Sequence, residues 1–260
     1  AGKADKAAAL FADSKAEDLN STSALEAAAK QFVAIGKLGE ACEAYLKILR
    51  RKPQLFQNEF YEIKRPFDQT KRVGELADLV MEVGLKKFEG YRIGELCSDL
   101  LRENKDTERA RKLYLAMLDV PPTGNNAMNN LNNVLGSTRE LLKDKTTLEK
   151  TVQYLIKGSK APSNEWNTLF QGYSTSGDGR HNNATTSLVR AIAGNEELCN
   201  FTENLVREAL KEKADWYEGR AWLGILLTVR KQYDEAKTLL EPLLSKEQKP
   251  QPTYDALWLI

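Results

Sequence analysis

Few side chains in this chain of 260 residues are of a kind and spacing that does chemistry. His181 is the one imidazole, and it stands in GDGRHNN, a polar, glycine-rich stretch that reads as a turn between helices. No Ser, Cys or carboxylate stands near it at a spacing that suggests a triad. Cys42, Cys97 and Cys199 are scattered through helix-periodic apolar runs. They read as small buried residues, not as a disulfide framework, and with a single histidine they offer no zinc spacing. The GDG at Gly177 has no phosphate-loop pattern and no strand before it, so it reads as turn chemistry. The tripeptides at Asn20, Asn183 and Asn200 fit the glycosylation acceptor, but nothing indicates a secretory route. No catalytic, cofactor-binding or metal-binding residue is assigned, and no enzyme activity is expected of this chain.

The least ordinary polar group is a run of amides. Asn125, Asn126, Asn129, Asn130, Asn132 and Asn133 fall within nine residues of a helix-periodic segment. Asparagine is a poor helix former because its amide competes for backbone hydrogen bonds. Such a row can hold an extended peptide backbone, since each amide both donates and accepts. Hydrogen bonding between neighbouring repeats and plain solvation explain it as well.

Bulk properties narrow the class. The 38 basic and 37 acidic residues give a formal net charge of +1, which argues against a nucleic-acid footprint and against a strongly charged membrane surface. No apolar run approaches the roughly 18 residues needed to span a bilayer, so no direct membrane insertion is expected. The cysteine usage points to a reducing compartment, hence a cytoplasmic location. The final PTYDALWLI reads as the opening of a further helix, which predicts that the chain is a segment of a longer protein.

The elements that must position any site are repeated. GKLGEACEAYLKILRRKP begins at Gly36, TKRVGELADLVMEVG at Thr70 and DTERARKLYLAMLDVPP at Asp106. Anchored on Ala41, Leu76 and Ala110, the offsets are 35 and 34. A fixed period in this range predicts stacked helical hairpins instead of one closed core. Within each hairpin, small residues let the helices approach and large ones fill the gaps beside them. The first complete unit runs from about Thr22 to Pro53, with Leu25, Ala28, Ala29 and Phe32 on its first helix, Ala41, Tyr45 and Ile48 on its second, and Ser21 as N-cap. An earlier helix is expected around Ala7. In the second unit Lys64 stands where a small residue is usual, which predicts looser pairing, and Pro66 should kink or end its helix. In the fourth, Met128, Leu131 and Leu135 lie on a helix expected to continue through Leu142. Leu148, Thr151, Leu155 and Gly158 mark the helix after it, and Trp166, Leu169, Phe170 and Tyr173 the next one. The register then breaks: Ala184 to Ala236 is 52 residues, and the segment from Glu196 to Asp215 carries Leu198, Phe201, Leu205 and Ala209 on one face. An extra helix is predicted there. Leu223, Gly224, Leu227, Tyr233, Ala236, Leu240 and Leu243 complete the best-formed unit.

This pattern resembles the tetratricopeptide repeat, strongly in two units and loosely in the rest. The resemblance implies an all-α fold, an α-solenoid of antiparallel helix pairs with a right-handed superhelical twist, made irregular by the extra helix at 196–215. Residues 1–260 would form one continuous solenoid fragment: regular repeats over 1–122, divergent ones over 123–195, and the extra helix, the strong repeat and a truncated one over 196–260. In that family the first helices of the hairpins line the concave surface. The positions that point into it are here Glu26, Lys30 and Val33, then Asn58, Tyr61, Arg65, Asp68 and Gln69, then Arg92, Glu95, Asp99 and Arg102. The Lys and Asn pair of the family's terminal-carboxylate clamp is replaced by Glu26 and Lys30, so that clamp is not expected.

The function so implied is a non-enzymatic scaffold that binds a protein or peptide on the concave face. Its expected contacts are Tyr61, Arg65, Arg92, Arg102, Asn126, Asn129, Asn130 and Asn133, and no cofactor is expected. Two alternatives stand beside it. One is an architectural segment of a membrane-coat-like or other large solenoid assembly; the other is the accessory domain of an enzyme whose catalytic part lies elsewhere.

Overall fold

The computed structural model describes residues 15–16, 19–88, 92–120, 131, 134, 140–160, 173–174, 181–182 and 184–245. Among these the fold is all-α apart from one two-residue strand pair. The chain forms two compact units, Ala1–Ala116 and Met117–Ile260.

The first unit is built from α1 (Thr22–Ala34), α2 (Leu38–Arg51), the single turn α3 (Leu55–Asn58), α4 (Phe60–Thr70), α5 (Val73–Val83), α6 (Arg92–Arg102) and α7 (Thr107–Leu118). Ser21 starts α1 by accepting the Ala24 amide at 3.0 Å. The α1 stripe Leu25, Ala28, Ala29 and Phe32 is buried against α2, which buries Ala41, Cys42, Ala44, Tyr45, Ile48 and Leu49. The repeat anchors Ala41, Leu76 and Ala110 are all fully buried. The helix expected around Ala7 lies outside the described residues, but Ala16 docks on α2. Its N–H donates to Glu40 Oε2 and its carbonyl accepts from Lys47 Nζ, both at 2.8 Å.

The period is visible in the cross-links. Along the first helices of the hairpins, Lys30 of α1 reaches Glu62 of α4 at 3.7 Å, and Lys64 of α4 reaches Asp99 of α6 at 2.8 Å. Along the second helices, Arg50 of α2 pairs bidentately with Glu82 of α5 (3.1 and 3.0 Å), and Asp78 of α5 takes Arg109 of α7 at 3.1 Å. Each link joins residues 31 to 35 apart. Ion pairs thus link α1, α4 and α6 into one series (called the A layer) and α2, α5 and α7 into another (the B layer).

The turns between layers also repeat. Gly36, Lys71 and Lys105 adopt positive φ (78°, 59° and 56°), and Lys231 in the second unit does the same at 62°. Beyond each, an amide reaches back to close the helix end: Lys37 to Phe32 O (2.8 Å), Arg72 to Phe67 O (2.8 Å), Asp106 to Leu100 O (2.9 Å) and Gln232 to Leu227 O (2.9 Å). These bonds satisfy carbonyls that a helix C-terminus would otherwise leave orphaned.

One expectation for the second hairpin, that Pro66 should kink or end its helix, needs correction, while the looser pairing is found: α4 packs on α5 less extensively than α1 on α2. Pro66 does not end α4, which continues to Thr70. A proline at this position removes one backbone hydrogen bond, to the carbonyl of Glu62, an exposed residue, while its ring is buried as part of the core. Lys64, at the position of a usual small residue, is nonetheless buried and ion-paired, so the site accommodates a long stem with a neutralised head.

The second unit has helical, buried Leu131 and Val134, a 3₁₀ turn Leu141–Lys143, α8 (Lys145–Lys160), strands β1 (Tyr173–Ser174) and β2 (His181–Asn182), α9 (Ala184–Ile192), α10 (Glu196–Glu212), α11 (Tyr217–Val229) and α12 (Tyr233–Leu240). A 3₁₀ stretch, Glu241–Ser245, holds Pro242 after α12 ends. The helix expected to run through Leu142 is instead a 3₁₀ turn there, because Asp144 opens α8 by accepting Thr147 N at 2.9 Å and Thr147 Oγ1 at 2.6 Å. Tyr173 is not helical: Tyr173 pairs with Asn182 and Ser174 with His181 in an antiparallel ladder. Trp166, Leu169, Phe170, Met128 and Leu135 lie outside the described residues.

The predicted extra helix is present as α10, capped by Asn195, whose side chain accepts from Leu198 N at 3.1 Å. It packs on α8, α9 and α11. Its buried stripe is Leu198, Cys199, Thr202, Val206 and Ala209; Phe201 and Leu205 are only half-buried, because the helix is turned by about one residue from the expected face. An ion-pair chain fastens it to the last hairpin: Glu203 binds Arg230 and, at 2.7 Å, Arg207, which reaches Glu235 at 2.6 Å. No helix among the described residues is long and apolar enough to cross a membrane.

Candidate functional site

The A layer of the first unit carries Tyr61, Arg65, Arg92 and Arg102, four of the side chains expected to contact a partner. Phe60 begins α4 and packs edge-on against Phe56 (5.1 Å between centroids), which meets Phe88 in the same way at 5.5 Å. These three rings are buried. Tyr61, the next residue, meets the Phe60 ring edge-on at 5.3 Å but is 63% exposed, more than any other large apolar or aromatic side chain among the described residues. Arg92 of α6 holds it in place. The guanidinium carbon lies 4.7 Å from the Tyr61 ring centre and 5.5 Å from that of Phe60. Its Nη1 donates to the Tyr61 hydroxyl at 3.1 Å and to Glu95 at 2.7 and 2.9 Å. With 15% of its side chain exposed, Arg92 is committed to supporting the tyrosine.

One turn further along α4, Lys64 binds Asp99 at 2.8 Å, Asp68 at 3.2 Å and Glu103 at 3.8 Å. Burial pushes its ammonium towards neutrality, but the hydrogen bonds to Asp99 and Asp68 outweigh this and hold it above the ordinary lysine range. Arg102 is 62% exposed and comes no nearer to Asp99 than 3.7 Å. Arg65 and Gln69 are exposed and make no hydrogen bond or ion pair among the described residues. On α1, Glu26 is held by Lys52 at 2.7 Å, and Lys30 lies between Glu59 (3.4 Å) and Glu62 (3.7 Å).

The structure thus brings Tyr61 and Arg92 together and places Arg65 and Arg102 on the same layer. Asn126, Asn129, Asn130 and Asn133 lie outside the described residues. Residue types alone did not reveal that Arg92 serves Tyr61 or that Lys64 gathers three carboxylates; the second had one signal, a charged residue where the repeat wants a small one.

Among the described residues this surface presents an aromatic ring, guanidinium groups, an ammonium and carboxylates. The three thiols are buried: Cys97 donates to the Ala110 carbonyl at 3.3 Å, Cys199 to that of Ile192 at 3.4 Å, and Cys42 sits 3.5 Å from the Thr70 hydroxyl. Burial raises the pKa of each above the usual thiol value. No group of three His, Cys, Asp or Glu side chains able to hold a metal occurs among the described residues. No family model, curated protein or solved structure matches this chain.

Proposed function

We propose that this chain is a non-enzymatic interaction scaffold, a solenoid of the tetratricopeptide kind, that holds a protein or peptide partner against the A layer of its first unit. One observation carries the reading: Tyr61 is a large aromatic ring that is 63% exposed yet fixed from beneath by Arg92 and Glu95. An exposed aromatic ring held in one orientation loses little further freedom on binding, which is what an interface anchor requires. The Asn126, Asn129, Asn130 and Asn133 amides belong to the same proposal as a second contact set.

A selection of displayed twelve-residue peptides against the protein, counter-screened with Tyr61→Ala, tests it. Peptides that bind the parent and not the variant are expected, with unchanged helical circular dichroism. If every selected peptide binds both forms equally, the A layer is not the binding surface.

A further inference from the structure

We propose that the partner is an extended peptide lying along α4, with an aromatic or large apolar side chain on Tyr61 and an acidic side chain two positions away on Arg65. This rests on the A-layer reading above and adds the chemistry of the ligand. Polar residues at the corresponding positions of the neighbouring A helices are already engaged within the chain: Glu26 with Lys52 at 2.7 Å, Lys30 with Glu59 at 3.4 Å, Glu95 with Arg92 at 2.7 Å, Asp99 with Lys64 at 2.8 Å. On α4 the exposed row Tyr61, Arg65, Gln69 follows the i, i+4 spacing of one helix face. Arg65 and Gln69 have no partner among the described residues, and the Tyr61 ring is backed by Arg92. An unengaged guanidinium offers five donors and no acceptor, so it selects a carboxylate, while the Gln69 amide can both donate to and accept from a peptide backbone.

Spacing sets the motif. Four helical residues advance about 6 Å, from Tyr61 to Arg65. An extended chain puts alternate side chains on one side about 7 Å apart. An aromatic residue and a carboxylate separated by one residue therefore meet Tyr61 and Arg65 together. Its chain neighbour Lys64 is set among Asp68, Asp99 and Glu103, and Glu62 and Asp68 lie three residues either side of Arg65 on α4, so no excess of positive charge surrounds it. Preference for the acid then comes from the direct contact and not from a long-range field.

Fluorescence polarisation with labelled, C-terminally amidated octapeptides decides the matter. The series carries Trp-Ser-Glu, Trp-Ser-Gln or Gly-Ser-Glu in a Gly/Ser background. The Trp-Ser-Glu peptide should bind, and changing Glu to Gln should weaken it by about five-fold, the scale of one exposed ion pair. That difference should vanish in Arg65→Gln, and the effect of Trp to Gly should vanish in Tyr61→Ala. Equal binding of the Glu and Gln peptides, discrimination that survives in Arg65→Gln, or no binding of Trp-Ser-Glu overturns the inference. Displayed peptides that depend on Tyr61 but carry no acid would overturn it while leaving the scaffold reading intact. If no displayed peptide depends on Tyr61 either, both fall.

Discussion

Gly224 of α11 lies so close to Leu240 of α12 that a Cβ added to it would sit 2.5 Å from both Cγ and Cδ2 of the leucine. Only hydrogen fits this helix crossing. Leu240 is fully buried, so its side chain has little room to move aside. Gly224→Leu should overpack the crossing and cost on the order of 1–3 kcal/mol. Urea unfolding that gave the same midpoint for parent and variant would refute this packing.

The turn lysines lead to a gain in stability. Lys71 and Lys105 hold φ of 59° and 56°, a region where a Cβ crowds the following carbonyl. Lys71→Gly and Lys105→Gly should each stabilise by roughly 0.5–1 kcal/mol, the left-handed strain partly offset by glycine's greater chain entropy. Gly36→Ala, at the equivalent turn with φ 78°, should destabilise by about 1 kcal/mol. A thermal melt in which Gly36→Ala is neutral would remove the equivalence of the three turns.

Lys64 gives a pH signature. Burial disfavours its charged form, but the hydrogen bonds and charges of Asp99 and Asp68 together outweigh this and raise its folded-state pKa above the ordinary lysine value. A raised basic group contributes stability that is fully present below its unfolded pKa of about 10.4 and is lost as pH rises through the folded value. The parent should therefore lose more stability than Lys64→Met between about pH 10 and 12. At neutral pH, Lys64→Met leaves Asp99, whose side chain is 10% exposed, without its nearest cation, and should cost about 2–4 kcal/mol. Adding Asp99→Leu should recover part of that loss. A double-mutant cycle with no coupling would show that the pair is not a unit.

The three cysteines should be silent in the folded protein. Each is buried and has its thiol pKa raised by burial, so little thiolate is available. Ellman's reagent at pH 8 should find no fast-reacting thiol until denaturant is added, and then all three. Rapid native reaction of Cys97 would contradict its packing beneath Ala110.

The sequence by itself determined the local features. Apolar periodicity marked the faces that α1 and α2 bury and that of α10 to within about one residue; Ser21 announced its helix start; and Ala41, Ala110 and Ala236 were legible as close-approach positions because small residues recur there at the repeat spacing. These signals are short-range, since burial of one helix face and capping of one helix end are written within a few turns of chain. Tertiary structure decided what depends on residues about 30 positions away. It turned Lys64 from an awkward residue into the centre of a charge cluster, assigned Arg92 to Tyr61, and left Arg65 free on a surface where similar charges are paired. It also forced Lys71, Lys105 and Lys231 into a backbone region that lysine does not favour, because helix pairing fixed the turn geometry whatever residue stood there. Pro66 followed the same rule: its penalty is local, but the packing of its ring and of Phe67 keeps the helix intact.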